Sequence, residues 1–261
     1  MDEDEIAAFV TTAVKLAELA RQETLREQGG EPEDKNEGGA FDPVTAADRG
    51  AERVMRQWIE ACWPDHAIAG EEYGVKEGEG PWSWSLDPID GTRAYVCGLP
   101  SWTTLIALLE DGNPVVGVID SPQLDERYVG WPGQAELLSK GRNVPLHVSE
   151  CGGLAEARLS TTDPYLFTGA DAEGFERVRS EARVTRYGLD AYGYAKLAAG
   201  DIDLVIESGL KPHDYNALIP VVRGAGGVIS NWRGEDDFAE GQVVAAASAQ
   251  LFEEAVRLLA G

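Results

Sequence analysis

The sequence has 261 residues, of which 46 are acidic and 22 are basic, so its formal net charge at pH 7 is −24. An acidic excess of this size argues against a general nucleic-acid binder and against attraction to an anionic membrane surface, because both need basic residues. The 43% share of hydrophobic residues excludes a chain that is disordered by composition, and it suits one large domain or two tightly fused ones. Composition leaves two explanations for the acidic residues open, a heavily solvated surface and a set of carboxylates that bind metal ions.

No run approaches the roughly 18 consecutive apolar residues that a membrane-spanning helix needs. The acidic start, Met1–Glu5, is the reverse of the basic leader of a secreted protein. The three cysteines, Cys62, Cys97 and Cys151, are widely spaced and contain no Cys-x-x-Cys pair, which fits a reducing compartment. We therefore expect a cytoplasmic protein that does not associate with membranes.

Two helices are predicted in the first 62 residues. Apolar residues at helical spacing predict the first over Ile6–Glu27. Residues 28–41 are rich in glycine and charge and predict a loop. Thr45 and Asp48 stand three residues apart at the start of the second helix, which predicts a capping box.

Short apolar runs after residue 65 predict strands, and in the second half these alternate with helices. The predicted strands are Ser83–Leu86, Thr103–Leu109, Val115–Ile119, one or two within 123–138, Arg158–Thr161, Val184–Tyr187, Leu204–Glu207 and Val228–Ser230. The predicted helices of the second half are 171–180, Ala191–Ala199, Tyr215–Arg223 and 248–259. This alternation predicts a layered α/β or α+β protein. A boundary at 145–155 would divide it into halves, 1–150 and 151–261, of one compact unit.

The segment Asp87-Pro88-Ile89-Asp90-Gly91-Thr92 is the densest group of candidate functional residues, and it directly follows a predicted strand. Strand ends lie at the rim of a sheet, where α/β proteins bind ligands. Two carboxylates, a carbonyl and a hydroxyl in six residues form a ligand set for a hard cation such as Mg²⁺ or Mn²⁺. The alternative is an ordinary turn. Pro88 stands where haloacid-dehalogenase-type phosphatases carry their nucleophilic aspartate, which excludes that class.

Two further acidic groups lie outside this segment. Glu71 and Glu72 follow a short apolar strand, and Asp214 precedes a predicted helix. Taken alone, Asp214 is better explained by a helix cap than by a ligand.

Together the three groups resemble the inositol monophosphatase superfamily of metal-dependent, lithium-sensitive phosphomonoesterases. The resemblance covers most of the chain, from Asp42 to Gly227, and its motifs are Gly70-Glu71-Glu72, Asp87-Pro88-Ile89-Asp90-Gly91-Thr92 and Asp214 ahead of Gly224-Ala225-Gly226-Gly227. It implies an αβαβα sandwich and a homodimer. Other segments are more similar to the bacterial histidinol-phosphatase branch than to the inositol branch: Arg93-Ala94-Tyr95, Gly98–Trp102 and Tyr187–Tyr194.

Three features depart from the family pattern and bear on the substrate more than on the metals. His213 stands where an aromatic residue is more usual, and Leu189 separates Gly188 from Asp190. An insertion over Asn36–Ala40 alters the loop above the site.

The resemblance also implies roles for individual residues. The ligands of two or three Mg²⁺ ions, with Mn²⁺ as an alternative, would be Glu71, Asp87, Asp90, Asp214 and the carbonyl of Ile89. The catalytic residues would be Thr92 and Asp48, which orient a water, and Glu71, which accepts its proton. The substrate-binding residues would be Asp90, Gly91, Thr92, Arg93, Asp190 and Glu207. Asp48 keeps the alternative of a helix cap, and Glu207 that of an exposed acid at a strand end.

The resemblance implies a phosphatase that acts on a small phosphomonoester, with L-histidinol phosphate as the first candidate. Inositol monophosphate and 3′-phosphoadenosine 5′-phosphate are the alternative substrates. An alternative of another class is a regulatory partner of the transcription machinery, which the intact set of acidic residues disfavours.

Overall fold

A computed structural model describes residues 2–28, 33–34 and 43–261. The helices of the described residues are α1 (Glu3–Arg26), α2 (Ala46–Cys62), α3 (Thr92–Val96), α4 (Gly169–Glu181), α5 (Ala191–Ala198), α6 (Pro212–Tyr215), α7 (Leu218–Gly224) and α8 (Ala249–Ala260). The strands are β1 (Glu33–Asp34), β2 (Pro43–Val44), β3 (Ala67–Gly70), β4 (Gly74–Lys76), β5 (Trp82–Asp90), β6 (Thr103–Glu110), β7 (Asn113–Ser121), β8 (Glu126–Trp131), β9 (Gln134–Ser139), β10 (Arg142–Pro145), β11 (Arg158–Thr161), β12 (Val184–Tyr187), β13 (Leu204–Glu207), β14 (Val228–Ser230) and β15 (Val243–Ala246). Within the described ranges, no helix is long and apolar enough to cross a membrane.

Most of the predicted elements are confirmed, and the differences have local causes. Most of the predicted loop 28–41, with its insertion, lies outside the described residues, but β1 within it pairs antiparallel with β2. The predicted helix Tyr215–Arg223 is divided between α6 and α7. At this break the side-chain amide of Asn216 donates to Ser85 Oγ at 3.2 Å, which fastens the junction to β5. The strands β4 and β10 were not predicted, because they are short and mostly exposed and therefore lack an apolar pattern.

Two sheets hold the strands that follow residue 66. The larger has the order β10-β9-β8-β7-β6-β5-β3-β4, and the smaller has the order β12-β11-β13-β15-β14. Only β3 and β5 are parallel in the larger sheet, whereas β12, β11 and β13 are parallel in the smaller one. The carboxyl ends of β11, β12 and β13 therefore meet at one edge.

The apolar faces of the two sheets and of the helices packed on them produce five layers. Strand β6 is buried almost throughout: Ile106 and Leu108 pack with residues of α1 and α2, whereas Leu105 and Ala107 pack with residues of α5 and α7. A third cluster joins the other face of the smaller sheet to α4 and α8. The order is helices, sheet, helices, sheet, helices, which confirms the predicted αβαβα sandwich.

Helix α7 lies unusually close to the larger sheet because two glycines face it. Gly117 on β7 and Gly130 on β8 are cross-strand partners. A Cβ atom at Gly117 would lie 2.2 Å from the Ala217 carbonyl oxygen, and one at Gly130 would lie 2.4 Å from the Val221 backbone nitrogen. Neither contact can be relieved by rotating a side chain, so the glycines set the distance between α7 and the sheet.

We expect Gly117→Ala to lower the free energy of unfolding by about 3 kcal/mol, because the added methyl group must push the α7 backbone away from β7. Urea denaturation followed by circular dichroism measures this. Gly152→Ala is the matched control, since the nearest neighbour of its Cβ would be a side-chain oxygen at 3.7 Å. Equal stabilities of the two variants would contradict the packing argument.

Candidate active site

The segment Asp87–Asp90 is the irregular end of β5, not the ordinary turn that the sequence left as an alternative. The pairing of β5 with β6 is regular up to Asp87 and resumes at Asp90, with a shift in register between them. The Ile89 amide donates to Asp87 Oδ1 at 3.1 Å, and the Thr104 hydroxyl donates to the Pro88 carbonyl at 2.7 Å. Residues three apart on a regular strand point to opposite faces, so this irregularity allows both carboxylates to reach one site.

Three of the predicted metal ligands lie together. One carboxylate oxygen from each of Asp87, Asp90 and Asp214 lies within 4.8 Å of the other two. Asp90 is held by the Ala191 amide, which donates to its Oδ2 at 2.8 Å, and by the Thr103 hydroxyl at 3.2 Å. The cluster thus joins the end of β5, the start of α5 and the short helix α6.

Asp214 is both a cap and a member of this cluster. Its Oδ2 accepts the Lys211 amide at 2.7 Å, as a residue that caps α6 does. His213 Nε2 lies 3.5 Å from its other oxygen. The helix cap that the sequence offered for Asp214 is therefore confirmed, and the same side chain lies in the acidic cluster.

Burial and like charge raise the pKa values of all three carboxyl groups. For Asp87 burial is the largest cause, followed by the charges of Glu71, Asp90, Asp214 and Asp48. Burial is also the largest cause of the raised pKa values of Asp90 and Asp214, and neighbouring carboxylates add to it. Buried oxygen ligands that repel one another fit a hard divalent cation, whose charge would offset theirs.

The two remaining acidic residues of the predicted metal and water site lie beside this cluster. Asp48 is buried in the first turn of α2, where its Oδ2 accepts the Thr45 amide at 2.8 Å and the Thr45 hydroxyl at 2.6 Å, so the predicted capping box is confirmed. Glu71 lies in the turn after β3, and its amide donates to the Leu86 carbonyl at 3.2 Å. The charges of both residues contribute to the raised pKa of Asp87.

The residues that follow Asp90 form a tight turn into α3. Gly91 has φ of 79°, a conformation that favours glycine, and a Cβ there would lie 3.0 Å from Asp190 Oδ2. Thr92 donates its hydroxyl to the Ile89 carbonyl at 3.0 Å. Arg93 is exposed and lies 3.9 Å from Asp163, and its charge acts to lower the pKa of Asp190.

A cavity of about 170 Å³ adjoins the acidic cluster. Its acidic lining residues are Asp90, Asp190, Glu207 and Asp214, and its apolar lining residues include Leu166, Tyr194, Leu210 and Leu218. The structure thus brings two of the predicted substrate residues, Asp190 and Glu207, to the same space as two predicted metal ligands, whereas Gly91, Thr92 and Arg93 do not line this cavity.

Glu207 is not an exposed acid at a strand end, so that alternative is wrong. Its side chain is buried at the end of β13 and accepts the Thr162 amide at 2.7 Å, the Thr162 hydroxyl at 3.0 Å and the Thr161 hydroxyl at 3.2 Å. Burial raises its pKa to about 8, against the opposing effect of these hydrogen bonds.

Asp190 is held differently. Its backbone has φ of 48° and ψ of −142°, which is a strained conformation for a residue with a side chain. Its carboxylate accepts no hydrogen bond from the described residues. Burial raises its pKa to about 6. A strained carboxylate without a hydrogen-bond donor on a cavity wall is typical of a ligand-binding residue.

Sequence reasoning missed Glu52 and Tyr194. Glu52 is fully buried on α2, although charged side chains usually face solvent, and Tyr194 lines the cavity with its hydroxyl buried. The signal for Glu52 was its spacing, since Asp48, Glu52 and Arg56 stand four residues apart and so share one face of the helix.

Comparison with known proteins agrees with this arrangement. Residues 2–260 match the model of the inositol monophosphatase family. The chain belongs to the inositol monophosphatase family. Members of the inositol monophosphatase family depend on divalent metal ions, and this chain has a cluster of acidic residues that could hold one. This family member is accordingly a phosphatase.

Among its relatives, the bifunctional phosphatase IMPL2, chloroplastic, of Arabidopsis thaliana is 42% identical over 90% of this chain and 67% of its own length. A histidinol-phosphatase of Chlorobaculum parvum is 32% identical over 79% of each chain. The solved structure of an inositol monophosphatase from Zymomonas mobilis is 37% identical, covers 100% of both chains and superposes with a TM-score of 0.86. These inositol monophosphatase family relatives differ in the substrates that their names give.

Proposed function

We propose that this phosphatase is a Mg²⁺-dependent phosphomonoesterase whose substrate is L-histidinol phosphate. The observation that carries the proposal is the cavity wall that holds Asp190. Its carboxylate has no hydrogen-bond donor among the described residues and faces a space with leucine side chains. An ammonium group would supply the missing donors, and the leucines suit an imidazole ring and its methylene group better than a ring of hydroxyl groups.

The proposed Mg²⁺ ligands are those that the resemblance to the family implies, Glu71, Asp87, Asp90, Asp214 and the carbonyl of Ile89. Mn²⁺ is the alternative ion. Bound ions would offset the charge of the phosphate and lower the pKa of a water molecule. The Thr92 hydroxyl uses one lone pair of the Ile89 carbonyl oxygen, so the second lone pair is available to bind a metal ion.

The other proposed roles fall to side chains around the cluster. Asp48 and Thr92 would orient the attacking water, and Glu71 would accept its proton. The amides of Gly91 and Thr92 would hold phosphate oxygens. Arg93 would assist substrate binding from beside Asp190, since its charge already acts on that carboxylate.

Inositol monophosphate is the second candidate, because buried carboxylates also accept hydrogen bonds from hydroxyl groups. The family of the chain and its similarity to the Zymomonas mobilis enzyme favour this candidate. The Asp190 carboxylate and the leucine side chains at the cavity wall favour histidinol phosphate.

We expect kcat/KM for L-histidinol phosphate to exceed that for inositol 1-phosphate and for 3′-phosphoadenosine 5′-phosphate by at least about tenfold, the value of one charged hydrogen bond. Phosphate release with Mg²⁺, and again with excess EDTA, measures this. A preference for inositol 1-phosphate would overturn the substrate assignment. Failure to hydrolyse any of the three with metal bound would favour the regulatory alternative.

A further inference from the structure

Glu52 is a fully buried carboxylate in the middle of α2 that has no assigned role. Its Oε2 accepts the Glu72 amide at 2.7 Å, and its Oε1 accepts the Tyr73 amide at 3.2 Å. Arg56, one turn later on the helix, donates its Nε to the same Oε1 at 2.7 Å. Each of these hydrogen bonds involves an ionised group, so they are stronger and more directional than bonds between neutral groups.

These contacts hold both ends of the turn that contains Glu71. A Cβ at Gly70 would lie 2.0 Å from Glu52 Oε1, so only glycine lets the backbone approach this closely. At the other end Arg56 donates to the Gly74 carbonyl, and its guanidinium lies 5.9 Å from the centre of the Tyr73 ring. The Glu52–Arg56 ion pair thus bonds both ends of the turn to α2, and the Tyr73 hydroxyl adds a bond to the Arg49 carbonyl at 3.3 Å.

The same turn is attached to the metal cluster. The Glu71 amide donates to the Leu86 carbonyl, beside Asp87. The negative charge of Glu71 contributes to the raised pKa values of Asp87 and Asp214, which places it near both carboxylates. A shift of this turn would therefore move Glu71 relative to the cluster.

We infer that Glu52 is a positioning residue for the metal site, which fixes the 70–74 turn so that Glu71 is presented to Asp87 and Asp214. This inference rests on the proposed function, because it takes Glu71 as a metal ligand. Glu52 touches neither the metal nor the substrate in this role. It acts through the amides of Glu72 and Tyr73.

The test is the affinity of the whole protein for Mn²⁺, titrated by calorimetry without substrate. We expect Glu52→Ala to raise the Kd for Mn²⁺ 10- to 100-fold, the usual effect of removing a group that orients a ligand. The Mg²⁺ concentration for half-maximal activity should rise by the same factor, while kcat at saturating Mg²⁺ stays within about threefold of wild type.

Met55→Ala is the matched control for loss of stability. Met55 is also fully buried on α2, but it packs in the apolar core. We expect this variant to lose stability while its Kd for Mn²⁺ stays within about twofold of wild type, since the core residue does not orient a ligand. Equal increases in Kd for Met55→Ala and Glu52→Ala would show that Glu52 is only structural, and would overturn the inference.

Glu52→Gln keeps the proposal testable if the alanine variant does not fold. Glutamine fills the same volume but has one acceptor oxygen instead of two, so we expect roughly a three- to tenfold increase in the Kd for Mn²⁺. An unchanged Kd would overturn the inference while leaving the metal site intact. Absence of Mn²⁺ binding by the wild-type protein would instead overturn the proposed function and this role together.

Discussion

Replacing Asp90 by asparagine is expected to lower kcat/KM about 10³-fold while leaving the fold intact. The variant loses one negative charge from the cluster, and a loss of about 4 kcal/mol of transition-state stabilisation corresponds to this factor. The amide oxygen of asparagine can still accept from Ala191 and Thr103, which now bond to Asp90 Oδ2. Its NH₂ group would then face the other carboxylates as a donor, so the metal-free variant should melt no lower than the wild type.

The measurements are phosphate release in Mg²⁺ and thermal melting in EDTA. Asp236→Asn is the matched control, because Asp236 is an exposed carboxylate paired with Arg223. That substitution should leave both quantities unchanged. Retention of more than a tenth of the wild-type kcat/KM by Asp90→Asn would contradict its assignment as a metal ligand, and a large drop in melting temperature would show that Asp90 is chiefly structural.

Replacing Asp190 by asparagine is expected to lower kcat/KM for histidinol phosphate about 10²- to 10³-fold. A neutral amide cannot pair with an ammonium group as a carboxylate does, and losing one partner of a buried charged pair costs about 2–5 kcal/mol. For inositol 1-phosphate we expect a change below about threefold, because an amide oxygen also accepts from a hydroxyl group. The ratio of the two changes is the quantity to measure.

The control for this substitution is Asp111→Asn in the turn between β6 and β7. Asp111 has φ of 49° against 48° for Asp190, so both substitutions fall at a positive φ, which asparagine tolerates. Asp111 is exposed and distant in sequence from every proposed site residue. Equal losses for both substrates in Asp190→Asn would show that Asp190 supports the site generally and does not select the amine.

Part of the proposed site could be predicted from the sequence because its spacing is local. Asp87, Ile89 and Asp90 lie within four residues, and Asp48, which is proposed to orient the water, was predicted as half of a capping box. The helices and strands that carry these residues could be predicted from apolar periodicity, which is also local. The alternative of an ordinary turn at Asp87–Asp90 was wrong because pairing with β6 resumes at Asp90, and pairing between distant segments leaves no local pattern.

The sequence by itself predicted the oxygen chemistry proposed for the site and determined the layered fold that carries it. Only the tertiary structure decided which of the 46 acidic residues are buried together and what holds them. Asp214 joins Asp87 across more than a hundred residues, and Glu207 is buried rather than exposed because the Thr161–Thr162 segment of another strand bonds to it. Glu52 gives the physical reason. Its spacing on α2 can be seen in the sequence, but its burial requires backbone donors from the 70–74 turn, which contact it only in the folded chain.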